Sequence, residues 1–118
     1  MERPKTIFCD IDGTLLYHHG DLHKQYTCEP ALLKDTIEVM SEWDRKRYNI
    51  ILVTGRRQSM RKKTEQQLED LGIFYDQLVM GLGGGQRVLI NDLKLDNENP
   101  TAYAINVKRN EGIKNVKI

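Results

Sequence analysis

Three short apolar runs stand out along the chain, separated by longer stretches that mix polar and apolar residues. Thr6–Cys9, Ile50–Val53 and Gln77–Met80 have the length and composition of buried strands. Between them, apolar residues recur at the spacing of one face of a helix. This order predicts strand, helix, strand, helix, strand, and right-handed crossovers then make the sheet parallel.

Each predicted helix has a boundary signal. The first is expected to begin at Pro30, because proline is favoured at the first position of a helix, and to run to about Tyr48. The second is expected to end at Gly72. The segment 15–29 is polar and predicts a loop or a small hairpin. The positions that recur at helical spacing are Leu33, Ile37 and Met40 in the first helix, and Met60, Thr64, Leu68 and Leu71 in the second.

Two later runs, Val88–Ile90 and Ala102–Val107, predict a fourth and a fifth strand. The glycine-rich stretch Gly81–Gly85 lacks both the ending of a P-loop and the spacing of a dinucleotide fingerprint. We interpret it as a tight connection that needs glycine torsions. The predicted fold class is therefore α/β, with a five-stranded parallel sheet.

Length and composition limit the alternatives. The 118 residues suit one domain, residues 1–118, and the net charge of +1 does not call for a nucleic-acid partner. The longest apolar stretches are about five residues, far short of a membrane span, and no secretory signal pattern is present. Two cysteines make no disulfide framework. We therefore expect a cytoplasmic protein with no membrane partner.

The first predicted strand ends in two aspartates. Asp10 and Asp12 are one residue apart, so in an extended chain their side chains share a face, with Ile11 on the other. Gly13 lets the chain leave the strand sharply. Two adjacent carboxylates repel each other, and a cation or a raised pKa on one of them relieves the repulsion. Mg²⁺ fits this need because it prefers carboxylate and phosphate oxygens.

The run Asp10-Ile11-Asp12-Gly13-Thr14 resembles the first motif of the haloacid dehalogenase (HAD) superfamily of phosphotransferases. The resemblance implies a three-layer, Rossmann-like core in which Asp10 is the nucleophile and forms an aspartyl-phosphate intermediate. Asp12 would be the general acid for the leaving group and then the general base for water. The alternative is a strand that runs into an Asp-Gly hairpin turn.

Two other strand ends resemble later HAD motifs. Thr54 and Gly55 follow the second strand, and the hydroxyl and amide would grip phosphate oxygens. Asn91 and Asp92 follow the predicted fourth strand, where the resemblance assigns Asp92 to the metal and Asn91 to an outer contact. Either pair is otherwise a common turn. On this resemblance the Mg²⁺ ligands are Asp10, the Asp12 carbonyl and Asp92.

The cation of the third HAD motif has no orthodox counterpart in the sequence. Arg87 immediately precedes the predicted fourth strand, which would place it at the far end of the sheet, on the order of 10 Å or more from Asp10. Lys94 follows Asp92 and would lie at the active edge. We therefore expect Lys94 to hold the phosphoryl oxygens, with Arg87 as the competing candidate.

Two other polar segments invite an interpretation. Five cations lie in Arg56–Lys63, where they oppose the dipole of the second helix. They form either a solvated face or a pad for a phosphosugar, a nucleotide or a nucleic-acid end. His18, His19, His23 and Cys28 match no standard zinc spacing, and we expect their loop to overhang the site and help to select substrates.

Neither interval between the motifs leaves room for a cap domain, so the resemblance implies a bare HAD core. A neighbouring subunit of a homo-oligomer would then cover the open site. The predicted function is a Mg²⁺-dependent phosphatase acting on a small phosphorylated substrate such as a sugar phosphate. The alternatives are a nucleic-acid-end phosphatase that uses the basic Arg56–Lys63 helix, and a catalytically weak HAD-like binding protein.

Overall fold

The computed structural model describes residues 3–95 and 100–118. Within these residues, a parallel sheet has the order β1-β2-β3, and α-helices lie in the connections that precede β2 and β3. A short 3₁₀ turn, Gln58–Met60, precedes the last helix. The elements are β1 (Thr6–Asp10), α1 (Leu22–Thr27), α2 (Thr36–Arg45), β2 (Asn49–Val53), α3 (Arg61–Asp70) and β3 (Gln77–Val79).

The sheet buries one face. Cys9, Leu52 and Leu78 are neighbours across the three strands, and their exposed fractions are 6%, 0% and 8%. Met40 and Trp43 of α2, together with Leu68 of α3, complete the same core. Burial, and to a lesser extent the charge of Asp10, raises the pKa of the Cys9 thiol to about 12, so this cysteine is an inert core residue.

The other face of the sheet is open, which corrects the prediction of three layers. Phe8 of β1 is 56% exposed and Val79 of β3 is 38% exposed. Since Met40, Trp43 and Leu68 pack on the Cys9 face, the described residues form a sheet with helices on one side. The α/β class and the parallel pairing are as predicted.

The prediction of five strands is also wrong for the described residues, which contain three. Val88, Leu89 and Ile90 are 79%, 60% and 88% exposed, and 102–107 is not a strand. The physical reason is a pair of hydrogen bonds just after β3. Gly81 N donates to Arg56 O (2.7 Å) and Leu82 N to Thr54 O (3.1 Å). They hold the chain at the carboxyl edge of the sheet, so it does not cross back to start another parallel strand.

The helix predicted from Pro30 begins six residues later, at Thr36. The residues between are used for pairing with the first loop: Tyr17 N donates to Ala31 O (2.8 Å) and Leu33 N to Leu15 O (2.9 Å). Helical periodicity carries no information about this competing pairing. In the part of the chain that the structure describes, no helix is long and apolar enough to cross a membrane.

The predicted loop 15–29 contains a helix that the sequence pattern did not reveal. Helix α1 has six residues, and its N-cap is Asp21, whose side chain accepts a hydrogen bond from Lys24 N (2.8 Å). The helix buries a glutamine, Gln25, rather than an apolar stripe. Its formation therefore depends on polar contacts made in the folded protein.

Candidate active site

The chain turns sharply after β1. Ile11 is fully buried, and its carbonyl oxygen accepts hydrogen bonds from the amides of Thr14 (3.2 Å), Leu15 (2.9 Å) and Leu16 (3.0 Å). Gly13 lies at φ +90°, a conformation that side chains disfavour. This turn leaves Asp10 and Asp12 at the carboxyl edge of the sheet, where open parallel sheets bind their ligands.

Asp10 lies at the open edge of the sheet, and the pKa of its carboxyl group is shifted. Its pKa is raised above the usual value, mainly because its carboxyl is desolvated by surrounding protein atoms and also because Asp12 is close. The Thr14 hydroxyl donates to Asp10 Oδ2 (3.1 Å) and opposes this rise, as does the charge of Arg87. A partly desolvated carboxylate has lost some of the water that would weaken it as a nucleophile.

Asp12 forms a bidentate ion pair with an arginine. Arg56 Nε donates to Asp12 Oδ2 and Nη2 donates to Oδ1, both at 2.8 Å. The Arg56 side chain is 1% exposed and that of Asp12 is 11% exposed. The cation that offsets the repulsion between the two carboxylates is therefore a protein side chain, and it pairs with Asp12 and not with Asp10.

The rest of the Arg56 guanidinium is also satisfied. Nη1 donates to Thr64 Oγ1 (3.1 Å) and to Gln67 Oε1 (2.7 Å), both on α3. The ring of Tyr26 lies 5.9 Å from the guanidinium carbon. A buried charge persists only when it is paired and hydrogen-bonded in this way.

Arg56 is a site residue that the sequence pattern does not single out, because it belongs to the basic segment Arg56–Lys63. The available signal was its position directly after Thr54 and Gly55 at a strand end. Thr64 also belongs to the polar side of α3 that faces inward, although its spacing predicts a position in the apolar stripe of the helix. Both residues are almost fully buried.

Helix α1 supplies a third contact to Asp12. Gln25 Nε2 donates to Asp12 Oδ1 (2.6 Å) and to Tyr17 O (3.0 Å), while its Oε1 accepts from His19 N. Gln25 is 3% exposed. The first loop thus reaches the site through a glutamine. Among the described residues, no group of three or more His, Cys, Asp and Glu is placed to hold a metal ion.

Thr54 and Gly55 lie beside Arg56 at the end of β2. Thr54 is 2% exposed, and its hydroxyl oxygen accepts a hydrogen bond from Arg56 N (3.1 Å). A β-carbon on Gly55 would come within 2.7 Å of Gly83 O. Glycine is therefore required at position 55 so that the chain after β3 can approach closely.

The remaining predicted residues lie on the segment after β3. Asp92 and Lys94 are exposed, and Asp92 O accepts a hydrogen bond from the Thr101 hydroxyl (2.7 Å). Arg87 is close enough to Asp10 for its charge to lower that pKa. The expectation that Arg87 lies at the far end of the sheet assumed a fourth strand over 88–90, and the structure forms no strand there.

The basic segment Arg56–Lys63 is only partly available to a ligand. Arg56 is buried, and Arg61 donates to Leu78 O (2.9 Å) and pairs with Glu65 (3.3 Å). Its exposed cations are Arg57, Lys62 and Lys63.

Comparisons with known proteins point to one family. The family model for the phosphatase domain of polynucleotide kinase, PNKP, matches residues 4–88, well over half of the chain. This range includes Asp10, Asp12, Thr54 and Arg56. No curated protein matches the chain.

Two solved structures are similar to the chain. A chain of a Pnkp1/Rnl/Hen1 complex is 32% identical, with a TM-score of 0.59, over 72% of this chain and 30% of that one. A chain of a Pnkp1/Rnl/Hen1 RNA repair complex is 34% identical, with a TM-score of 0.57, over 65% of this chain and 25% of that one. The protein thus spans less than a third of the length of these relatives.

Proposed function

The chain belongs to the PNKP family of phosphatase domains within the HAD superfamily, and from this premise we propose that it removes a phosphate from the end of a nucleic-acid strand. The family match supports a nucleic-acid end as the substrate better than the sugar phosphate predicted from the sequence. The observation that carries the proposal is the pair of differently treated aspartates, Asp10 and Asp12, at the strand end.

The proposed reaction has two displacements at phosphorus. An oxygen of Asp10 attacks the phosphorus, the bond to the sugar oxygen breaks, and Asp12 gives that oxygen a proton. A water molecule then attacks the aspartyl phosphate, Asp12 takes a proton from it, and the bond to Asp10 breaks to release inorganic phosphate. The three hydrogen bonds from Arg56 and Gln25 to Asp12 support this role because they fix the position of its carboxyl group at the strand end.

The donors at the strand end suit Mg²⁺ in part. The Asp10 carboxylate and the Asp12 main-chain carbonyl are hard oxygen donors, and Mg²⁺ often uses only one or two carboxylates together with substrate phosphate. Asp92 forms no acidic cluster with them within the described residues, so we propose it only as a ligand that the bound substrate would recruit. When bound, the ion would offset the charge of the transferring phosphoryl group.

For the phosphoryl oxygens we propose Thr54, the Gly55 amide and one cation. Arg87 now has the stronger support because its charge acts on Asp10, whereas Lys94 is an exposed residue of the same segment. Arg87→Ala and Lys94→Ala, assayed side by side, decide between them. We expect Arg87→Ala to lose at least about tenfold in kcat/KM, while Lys94→Ala stays close to the wild type.

The test of the function is a substrate comparison with purified protein and Mg²⁺. We expect turnover of a 3′-phosphorylated oligonucleotide, as RNA or as DNA, at a higher kcat/KM than that of any member of a sugar phosphate panel. Asp10→Asn is the inactive control. Preference for a sugar phosphate would restore the first prediction. Absence of all turnover, together with no binding of fluoroberyllate at Asp10, would instead support the catalytically weak binding protein.

A further inference from the structure

The segment that follows the family-matched residues returns to the active-site turn. Asn110 N donates to Gly13 O (2.8 Å), and the Asn110 side chain bonds both ways with the backbone of His18: His18 N donates to Oδ1 (2.6 Å) and Nδ2 donates to His18 O (3.3 Å). These contacts join position 110 to both ends of the turn that follows Asp12.

The returning segment has a fixed position. Asn110 adopts φ 66°, which asparagine tolerates better than most residues, and Glu111 N closes a turn on Lys108 O (3.2 Å). Ile113 is 2% exposed within the hydrophobic core. The turn 108–111 is therefore held by hydrogen bonds on one side and by core packing on the other.

This turn places a cation on the active-site loop. A β-carbon built on Gly13 would lie 3.3 Å from Arg109 Cγ and 3.9 Å from Arg109 Nε, so the arginine side chain covers the glycine. Arg109 is exposed, and no Asp or Glu of the described residues forms an ion pair with it. Its guanidinium is available to an external anion.

The location of Arg109 decides which anion it would meet. Asp10 already has the Thr14 hydroxyl and the charge of Arg87. Arg109 covers Gly13, the residue after Asp12. In the proposed reaction, Asp12 gives the leaving oxygen its proton. In that reaction the oxygen belongs to the sugar, so the rest of a nucleic-acid strand would extend from the side of the site on which Asp12 and Gly13 lie.

We propose that Arg109 binds the phosphodiester next to the terminal phosphate and so makes the site prefer an oligonucleotide end to a small phosphomonoester. This inference rests on the proposed function and adds a specificity-determining residue outside residues 4–88. A guanidinium is suited to the contact because its planar fork can bond two phosphate oxygens at once.

The test replaces Arg109→Met, which keeps an unbranched stem over Gly13 and removes the charge. Lys108→Met, on the same turn, is the matched control, and the melting temperatures verify that both variants fold. We expect Arg109→Met to weaken kcat/KM for a 3′-phosphorylated oligonucleotide by about 10- to 100-fold through KM, with p-nitrophenyl phosphate turnover within about twofold of wild type. Lys108→Met should leave both substrates nearly unchanged.

A binding measurement makes the inference independent of turnover. Kd for the oligonucleotide, measured by fluorescence anisotropy over a range of salt, should rise in Arg109→Met, with a salt dependence weaker by about 0.7 in log–log slope. Equal loss on both substrates, no loss on the oligonucleotide, or an equal effect of Lys108→Met would each overturn the assignment. Failure of the proposed function would give a different result, because the wild type itself would not hydrolyse the oligonucleotide. The Kd values of the wild type and Arg109→Met would still test the role of Arg109 in that case.

Discussion

Two carboxylates at one strand end repel each other, and the protein treats the two differently. Asp12 receives a buried arginine and a buried glutamine, so its charge is offset within the fold. Asp10 receives the Thr14 hydroxyl and the weaker influence of the Arg87 charge, and its pKa stays raised, chiefly through desolvation. This division matches the proposed function, in which Asp12 is a positioned proton-transfer group and Asp10 an open nucleophile.

Replacing Arg56 tests the pairing. Arg56→Ala leaves Asp12 partly buried without its counter-charge, and we expect a loss of about 3–5 kcal/mol in the free energy of unfolding. Arg56→Lys keeps the charge but not the fork, so it should lose less stability and still lower kcat. Urea denaturation gives the free energies. The exposed neighbour variant Arg57→Ala should stay within about 0.5 kcal/mol of wild type. A loss below about 1 kcal/mol in Arg56→Ala would contradict this account.

Replacing Asp10 tests the raised pKa. Since the folded protein binds this proton more tightly than the unfolded chain, Asp10 favours folding at low pH, and the benefit disappears as pH rises through the folded-state pKa. At neutral pH without metal, Asp10→Asn should therefore melt above the wild type, with the difference shrinking on acidification. Added Mg²⁺ should raise the melting temperature of the wild type alone. The same variant should lose on the order of 10³-fold or more in kcat. A lower melting temperature for Asp10→Asn at neutral pH would refute the assignment.

At the scale of elements, local pattern and tertiary contact contribute separately. β1, β2, β3 and α3 follow from apolar runs and helical spacing, because these elements bury apolar side chains in one core. The late start of α2 and the existence of α1 depend on hydrogen bonds to distant residues, which periodicity does not encode. The apolar runs that predict β1 and β2 also locate the strand ends, and with them the candidate residues Asp10, Asp12, Thr54 and Gly55. The role of Arg56 becomes visible only in the folded structure, where its side chain pairs with Asp12.

Helix α1 acts as a positioning element through Gln25. Gln25→Ala removes a buried donor from Asp12 and should lower kcat by about tenfold, with a stability loss of about 1–3 kcal/mol. Gln25→Glu keeps the shape but opposes Asp12 with a second acid, so its loss of kcat should diminish at lower pH, where the new carboxyl is protonated. Stopped assays across pH measure this recovery. His23→Ala, on the exposed side of the same helix, should be neutral. A pH-independent loss in Gln25→Glu would indicate a purely structural role.

For the whole molecule, a net charge of +1 hides an uneven distribution. Arg56 is occupied inside the fold and Arg61 is tied to the backbone of β3, while Arg57, Lys62 and Lys63 remain exposed where the chain leaves the carboxyl end of β2. Under the proposed function, a nucleic-acid strand lying across the active edge would meet these cations in addition to Arg109. The basic segment therefore offers fewer available cations than its sequence indicates. It nevertheless follows the carboxyl end of β2, the edge of the sheet that the proposed function requires.

Salt dependence measures how much of that segment a nucleic acid uses. Each phosphate contact to a single strand contributes about 0.7 to the slope of log Kd against log salt, so three contacts predict a slope of about 2 before any contribution from Arg109. The double variant Lys62→Ala/Lys63→Ala should reduce the slope by about 1.4 and weaken binding of a 3′-phosphorylated oligonucleotide, with little change in p-nitrophenyl phosphate turnover. Arg45→Ala/Lys46→Ala removes two exposed cations from the end of α2, before β2 enters the sheet, and should leave the slope unchanged. Equal slopes for both double variants would mean that the strand leaves the active edge by another route.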